Sequence, residues 1–305
     1  MKKLSILFLS FIILGSFNLS AQKEKGIAVI GWYNLENLFD TEDDPITDDA
    51  QFLPEGSYRW TPERYVRKLD NMSKVISMIG EEYGGIVGIG LCELENRKVL
   101  EDLIATDNLK DRNLGIVHHD SPDRRGVDVG FIYDKDRFTV LHEKAYRLVT
   151  PDTHFRSRDQ LLVTGLLDGI DTLSIIVNHW PSKLGGKKSI GSRNAAAELT
   201  RSICEELTKN NPNAKIIIVG DFNDDPDSQS ILKVLGSKKK ANKTEPGGLF
   251  NPMYRLYQLG YGSYAYRDAW GLIDQAIISY GLLHPAKGTY QYAAVKIFCE
   301  PLILQ

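Results

Sequence analysis

Five short polar clusters stand directly beside apolar stretches of this chain. Trp32-Tyr33-Asn34 closes the first stretch and Leu91-Cys92-Glu93 the second. Asn178-His179-Trp180-Pro181-Ser182 follows Val177, and Gly220-Asp221-Phe222-Asn223-Asp224 follows Val219. Trp270-Gly271-Leu272-Ile273-Asp274 comes just ahead of the apolar residues 276–278. Loops at the ends of a rigid scaffold are where sites form, although a single carboxylate after a strand is more often a turn or helix cap. The set as a whole holds the carboxylates of Glu93, Asp221 and Asp274, the amides of Asn34, Asn178 and Asn223, and one imidazole, His179. Those are mostly oxygen donors, the kind that Mg²⁺ accepts while keeping several waters and one or two carboxylates. An ion held there polarises a phosphoryl oxygen and stabilises charge on a leaving oxygen, so the residue types suit metal-assisted hydrolysis of a phosphoester.

Such clusters work together only if strands end together. Apolar or β-branched runs predict strands at residues 26–32, 86–91, 127–133, 161–167, 173–177, 215–219, 263–267 and 272–278. Thr61 followed by Pro62 predicts a helix start, and Tyr65, Leu69, Met72, Ile76 and Ile79 continue it at helical spacing up to Gly84-Gly85. Further helices are expected at 98–105 and 193–209. Strands following strands with helices between them suggest an α/β fold: a four-layer sandwich of two packed, mainly antiparallel sheets flanked by helices. No repeat, low-complexity linker or composition break divides the chain, so residues 22–305 read as one domain. Lys238-Lys239-Lys240 with Lys243 reads as a solvated loop.

Composition narrows the class. The 305 residues are 42% hydrophobic and 25% charged, which excludes disordered and collagen-like chains and allows a sizeable core. The net charge of -3 excludes a strongly basic coat for nucleic acid but leaves room for a local basic rim. Lys2 and Lys3, an apolar run from 4 to 14 and a small-residue stretch ending at Ala21 form the pattern of a secretory signal peptide. Its removal takes two lysines and leaves a charge of -5. The chain is thus expected to be exported, periplasmic or secreted, and not an integral membrane protein. Cys92, Cys204 and Cys299 are odd in number and lack zinc spacing, so free thiols are the expectation.

The ordered set, from Asn34 and Glu93 through Asn178-His179 and Gly220-Asp221-Phe222-Asn223 to Trp270-Gly271-Leu272-Ile273-Asp274, resembles the endonuclease/exonuclease/phosphatase superfamily, which includes pancreatic deoxyribonuclease and abasic-site endonucleases. Residues 33–40, Tyr-Asn-Leu-Glu-Asn-Leu-Phe-Asp, and Arg125-Gly126-Val127-Asp128-Val129 look like its exported bacterial branch. The likeness covers about residues 31–279. It implies Glu93 as the main Mg²⁺ ligand, with Mn²⁺ as a substitute ion and Asn34 contributing directly or through water. It further implies Asp221 orienting or deprotonating the attacking water, Asn223 holding the phosphate, His179 donating, if protonated, to a phosphate oxygen, and Asp274 orienting a second histidine. Asn178, Arg125, Arg158, Lys183 and Arg193 are candidate phosphate or substrate contacts, and Asp128 with Arg125 could shape a loop beside the substrate. Glu95 and Asn96 suit capping of the next helix as well as they suit binding.

One feature of the family pattern is lacking. Members close with a Ser-Asp-His or similar triplet whose histidine partners the Asp at the position of Asp274, and no such triplet follows Asp274 here. A missing C-terminal strand, an open sheet edge and impaired activity are the corresponding expectations. The first reading is in-line hydrolysis of phosphodiesters, with nucleic acid as the expected substrate and no stable protein partner implied. The alternatives are a small-molecule or lipid phosphodiesterase or phosphatase, such as a sphingomyelinase-like hydrolase, and a remnant that binds metal or phosphate without turnover. A basic groove favours nucleic acid; exposed aromatics beside the site favour lipid.

Overall fold

The segment Ile86–Leu94 carries apolar residues on both faces, and a strand of that kind can be stable only in the middle of a sheet with both faces covered. In the computed structural model, which describes residues 26–300 except 151 and 153, this is what it does. The signal-peptide reading of residues 1–21 lies outside the described residues. The strands and main helices are β1 (Val29–Leu38), α1 (Pro62–Met78), β2 (Ile86–Leu94), α2 (Arg97–Ile104), β3 (Leu114–His118), β4 (Asp128–Asp134), β5 (Phe138–Tyr146) and β6 (Gln160–Leu167). They continue with β7 (Asp171–His179), α3 (Ser189–Thr208), β8 (Lys215–Asp221), β9 (Leu249–Phe250), β10 (Tyr264–Tyr266), β11 (Ala269–Gly271) and β12 (Asp274–Ser279). One sheet has the order β1-β2-β4-β3 and the other β5-β6-β7-β8-β12-β9, while β10 and β11 form a separate hairpin. Only β1–β2 and β7–β8 run parallel; the other pairings are antiparallel.

Three apolar layers hold the sandwich. Val87, Val129 and Phe131 from one sheet meet Leu161, Val163, Ile175 and Val219 from the other in the central layer. Outside the four-stranded sheet, Tyr65, Leu69 and Ile76 of α1 and Val99, Leu100 and Leu103 of α2 pack on Ile89, Leu91 and Ile132. Outside the six-stranded sheet, Ala196, Ala197, Ile203 and Cys204 of α3 pack on Ile176, Ile216, Ile218 and Ile277. Helix, sheet, sheet, helix is the expected four-layer order.

The local departures have physical reasons. Pro62 opens α1 as expected, but the Thr61 hydroxyl makes no capping hydrogen bond. The helix ends at Met78 rather than near Gly84, because Gly80 turns left-handed (φ 70°) and residues 81–83 form a separate short turn. Asn96, not Glu95, caps α2, accepting from the Val99 amide at 3.1 Å. β3 and β5 carried no clear sequence signal: β5 is a sheet edge with mostly exposed or half-buried residues, so it lacks the apolar run that marks the central strands. β1 is an edge too, and Ile30 and Trp32 on it are half-buried. No described helix is long and apolar enough to cross a membrane.

Candidate active site

Sheet register builds the site. Parallel pairing of β7 with β8 sets His179 beside Asp221, and antiparallel pairing of β8 with β12 sets Asp274 on the other side of Asp221. Directly paired residues on neighbouring strands project to the same face, so an imidazole and two carboxylates stand on one rung. In the facing sheet Asn34 pairs with Cys92, one residue before Glu93. Packing of the two sheets brings the two groups together. The His179 Nε2 atom lies 3.8 Å from Glu93 Oε1 and 3.9 Å from Asp221 Oδ2. The Asn34 amide nitrogen lies 3.4 Å from Glu93 and 3.5 Å from Asp221.

Two of these residues occupy backbone conformations that side chains avoid. Glu93 has φ 56° and Asn223 φ 49°, a strain that persists where the surrounding structure fixes the residue for a purpose. Asn223 is held by its own amide bond to Asp221 Oδ1 (2.8 Å) and by donation from Nδ2 to the Trp180 carbonyl (2.9 Å). Trp180 in turn packs edge-on against Phe222, with ring centroids 4.7 Å apart. The Asp274 carboxylate accepts from the Trp32 indole at 2.8 Å. Among the described residues His179 is the one histidine lining the cleft, and Asp274 is met by the Trp32 indole.

Electrostatics point to a cation. Burial first, then the neighbouring Asp274 and Glu93, push the Asp221 carboxyl well above the usual carboxylate range. Burial raises Asp274 as well. Ligand atoms of Glu93, His179 and Asp221 lie within 4.8 Å of one another. Carboxylates gathered this closely in a buried place either take up protons or share a metal ion, and the donor set fits a hard divalent ion. Burial, then Arg158 and Arg125, hold His179 well below the ordinary imidazole range, which favours the neutral ring over the protonated form on which its donor role was conditional. Its Nδ1 is buried without a partner, while Nε2 faces the carboxylates and is the nitrogen suited to carry the proton.

The remaining candidates divide into two groups. Arg125, Arg158, Lys183, Asn223 and Asp274 line the same cleft as Asn34, Glu93, His179 and Asp221. Arg158 donates to Asp123 (3.1 Å) and the Trp180 carbonyl (2.8 Å), with Nε buried and without a partner, and Lys183 pairs with Asp225 at 2.9 Å. Asn178 and Arg193 correct the sequence reading. Asn178 is fully buried, and its amide bonds the Ile176 and Val219 carbonyls, the Trp180 indole and Thr200. Arg193 is buried against Asp224 (2.9 Å), Ser182 and Ser189. Both brace the loop after β7 instead of facing substrate. Asn34 keeps its oxygen on the Glu36 amide (2.8 Å), so its nitrogen faces the carboxylates; turning the amide over would present the oxygen to a cation.

Sequence reasoning missed Asp123 and Asp225, which pair with Arg158 and Lys183, and it missed the partner of Asp274 although Trp32 stood in the first polar cluster. Asp128 turns inward, accepting from His118 Nε2 (3.1 Å) and the Ser121 amide (2.9 Å), and thereby fixes the loop that carries Arg125. Glu95, pushed up to about 8 mainly by burial, accepts from the Asp40 amide at 2.8 Å and ties down the loop after β1.

Comparisons with known proteins bear on the family and the fold. A family model described as Endonuclease/Exonuclease/phosphatase family matches residues 29–305. Among solved structures, humanized TDP2 of D. rerio matches with TM-score 0.52 and 14% identity, covering 85% of this chain and 84% of that one. The mannosyl-6-phosphatase Bt3783 of Bacteroides thetaiotaomicron VPI-5482 matches with TM-score 0.51 and 17% identity, covering 82% and 84%. ANGEL2, a 2',3'-cyclic phosphatase, matches with TM-score 0.54 and 11% identity, covering 82% of each chain. At such identities these likenesses concern the fold. No curated protein sequence matches the chain.

Proposed function

The chain belongs to the endonuclease/exonuclease/phosphatase family, and from that premise we propose that it hydrolyses phosphodiester bonds with the help of a divalent cation, Mg²⁺ or Mn²⁺ in its place. The observation that carries the reading is the cluster of Glu93, His179 and Asp221, drawn from two sheets onto one spot, with the Asp221 carboxyl raised by burial first and then by its acidic neighbours. Glu93 and Asp221, with the Asn34 amide turned over, are the oxygen donors that would hold the ion; imidazole suits softer metals better than Mg²⁺. When bound, the ion supplies charge stabilisation at the phosphoryl and leaving oxygens.

The chain's own residues supply the rest. Asp221 orients the attacking water and accepts its proton as the new O–P bond forms. The bond from phosphorus to the leaving alcohol breaks on the opposite side, and the departing oxygen is protonated from solvent. The Nε2–H of neutral His179 and the Asn223 amide are placed to hydrogen-bond the phosphate oxygens as negative charge builds on them. Asp274, fixed by Trp32, sets the rung on which Asp221 stands. An exported location belongs to the same proposal and rests on the pattern of residues 1–21.

Nucleic acid, the substrate class expected from sequence, needs a basic groove. Arg125, Arg158 and Lys183 line the cleft, but Glu36, Glu93, Asp221, Asp225 and Asp274 line it too, and Arg158 and Lys183 are already paired. This balance favours the second reading, a diester that is not a polyanion. The reading is tested by comparing bis-(p-nitrophenyl) phosphate with p-nitrophenyl phosphate under Mg²⁺. Preferential hydrolysis of the diester is expected; inertness toward it, or action on the monoester alone, would contradict the reading.

A further inference from the structure

The loop after β1 gathers more negative charge than its neighbours balance. Residues 40–49 carry Asp40, Glu42, Asp43, Asp44, Asp48 and Asp49. Glu95, just past the end of β2, joins them by accepting from the Asp40 amide at 2.8 Å. Three of these side chains are buried: Asp40 is 7% exposed, Glu95 5% and Asp49 2%. None of these acids pairs with a lysine, arginine or histidine among the described residues. Lys98 feels the charge of Asp40 but is bound to Asp102 at 2.7 Å. Burying a carboxylate without a counter-charge is costly, so such a group takes up either a cation or a proton.

Hydrogen bonds account for only part of the buried oxygens. Asp40 accepts from the Glu42 amide (2.8 Å) and from Asn96 (3.2 Å), and Asp49 Oδ2 accepts from the Asp44 amide (3.0 Å). The other oxygen, Asp49 Oδ1, is buried with no partner, and so is the Thr47 hydroxyl two residues before it. The Asp49 carboxylate is thus turned into the loop, and the charges of Asp40, Asp49 and Asp44 are near enough to act on Glu95. Among the described residues, no three of these acids bring an oxygen each within 4.8 Å of one another, as the catalytic cluster does with its ligand atoms. That wider spacing discriminates between ions. Mg²⁺ demands a tight octahedron at about 2.0–2.1 Å, whereas Ca²⁺ takes about 6–8 oxygens at about 2.3–2.6 Å in flexible geometry, backbone carbonyls and waters among them.

We propose that the loop of residues 40–49 and Glu95 form a Ca²⁺ site separate from the catalytic cluster, with Asp40, Asp49 and Glu95 as its carboxylate ligands and Asp44 beside them. The role of the ion is to brace the loop. Glu95 stands two residues past Glu93, and on the other side the Asp48 amide bonds the Arg124 carbonyl at 2.8 Å, next to Arg125. Gly126 lies directly against Thr47, where a Cβ would come within 2.9 Å of its side chain. Drawing the acids onto one ion therefore fixes the loop against the end of β2 and against the segment that carries Arg125. The site makes and breaks no covalent bond, and it holds whether or not the chain is a phosphodiesterase.

Terbium is the probe, because Tb³⁺ takes the oxygen ligands of Ca²⁺ and emits when a nearby indole is excited. The Trp60 indole donates to the Phe39 carbonyl at 2.9 Å, one residue from Asp40, and is placed to serve as the antenna. The parent for the experiment is the full chain carrying Asp221→Asn, which weakens the catalytic cluster as a competing seat. Saturable Tb³⁺ emission is expected, displaced by Ca²⁺ at a concentration about ten-fold or more below that needed with Mg²⁺. Adding Asp49→Asn or Asp40→Asn to the parent is expected to weaken Tb³⁺ binding about ten-fold or more. Melting curves separate loss of the site from loss of the fold. Each substitution removes an unbalanced buried charge, so the Tm in chelator is expected to equal or exceed that of the parent, while the rise that Ca²⁺ gives the parent is lost. Emission that is absent, that both substitutions leave unchanged, or that Mg²⁺ displaces as readily as Ca²⁺ would overturn the site. A Ca²⁺-induced rise in Tm of the same size in the parent and in both variants would overturn it as well.

Discussion

Glu93 and Asp221 come from different sheets and meet at one imidazole; both would hold the ion, and Asp221 also takes the proton of the attacking water. Glu93→Gln keeps the shape but removes the negative charge that side chain offers to a cation. It is expected to raise the Mg²⁺ concentration needed for half-maximal hydrolysis by about ten-fold or more, measured by metal titration of the soluble-diester rate; an unchanged metal requirement would remove Glu93 as a ligand. The cysteines give a second residue-level prediction. Cys92 is buried with its thiol held well above the usual range, and Cys204 is buried and pushed up to about 12, mainly by desolvation. Thiolate is the nucleophile, so neither should react with iodoacetamide in the native protein, whereas exposed Cys299 should. Mass spectrometry of the labelled native protein decides this, and modification of Cys204 without denaturant would contradict the packing of α3.

Strand ends position every group of the site, so errors in register should show as errors in chemistry. Gly220 precedes Asp221, and a Cβ there would stand 2.5 Å from the Asn178 carbonyl oxygen and 2.6 Å from its Cβ. Gly220→Ala must therefore push β7 and β8 apart next to His179 and Asp221. It is expected to cost about 1–3 kcal/mol of stability, read by denaturant unfolding, and to lower activity as well. A neutral effect on both would mean that β7 and β8 are less tightly coupled than the pairing implies. Elements of this kind were legible in the sequence to different degrees. β2 and β8 stood out because buried central strands are continuously apolar, and Glu93, His179, Asp221 and Asp274 followed from their places at strand ends. β5 was not legible because its edge position lets polar residues in. Asn178 and Arg193 were misread because nearness to His179 along the chain says nothing about which face a side chain takes: Asn178 points into the outer core and Arg193 under a loop. The Trp32–Asp274 bond joins residues 242 apart in the chain, a distance no local pattern can report.

At the scale of the whole molecule, the fold concentrates negative charge where it also excludes water, and stability should register that. Asp221 and Asp274 have folded-state values raised above the ordinary 3.8. The unfolded chain ionises these groups first, so their contribution is full below about pH 4 and is lost as pH rises toward the raised values. A bound divalent cation favours the ionised acids and removes that loss. Mg²⁺ is accordingly expected to raise the Tm, and to raise it more at about pH 8 than at about pH 5; a shift that is absent or larger in acid would contradict the cluster as a cation site. The most direct test of the central claim is the rate of bis-(p-nitrophenyl) phosphate hydrolysis with Mg²⁺ present, after chelation, and in Asp221→Ala. The account predicts turnover that chelator abolishes, that returns when Mg²⁺ is restored, and that falls by roughly 10²–10⁴ in the variant. Hydrolysis that survives both chelation and the loss of Asp221, or folded wild-type protein that is inert with Mg²⁺, would contradict it.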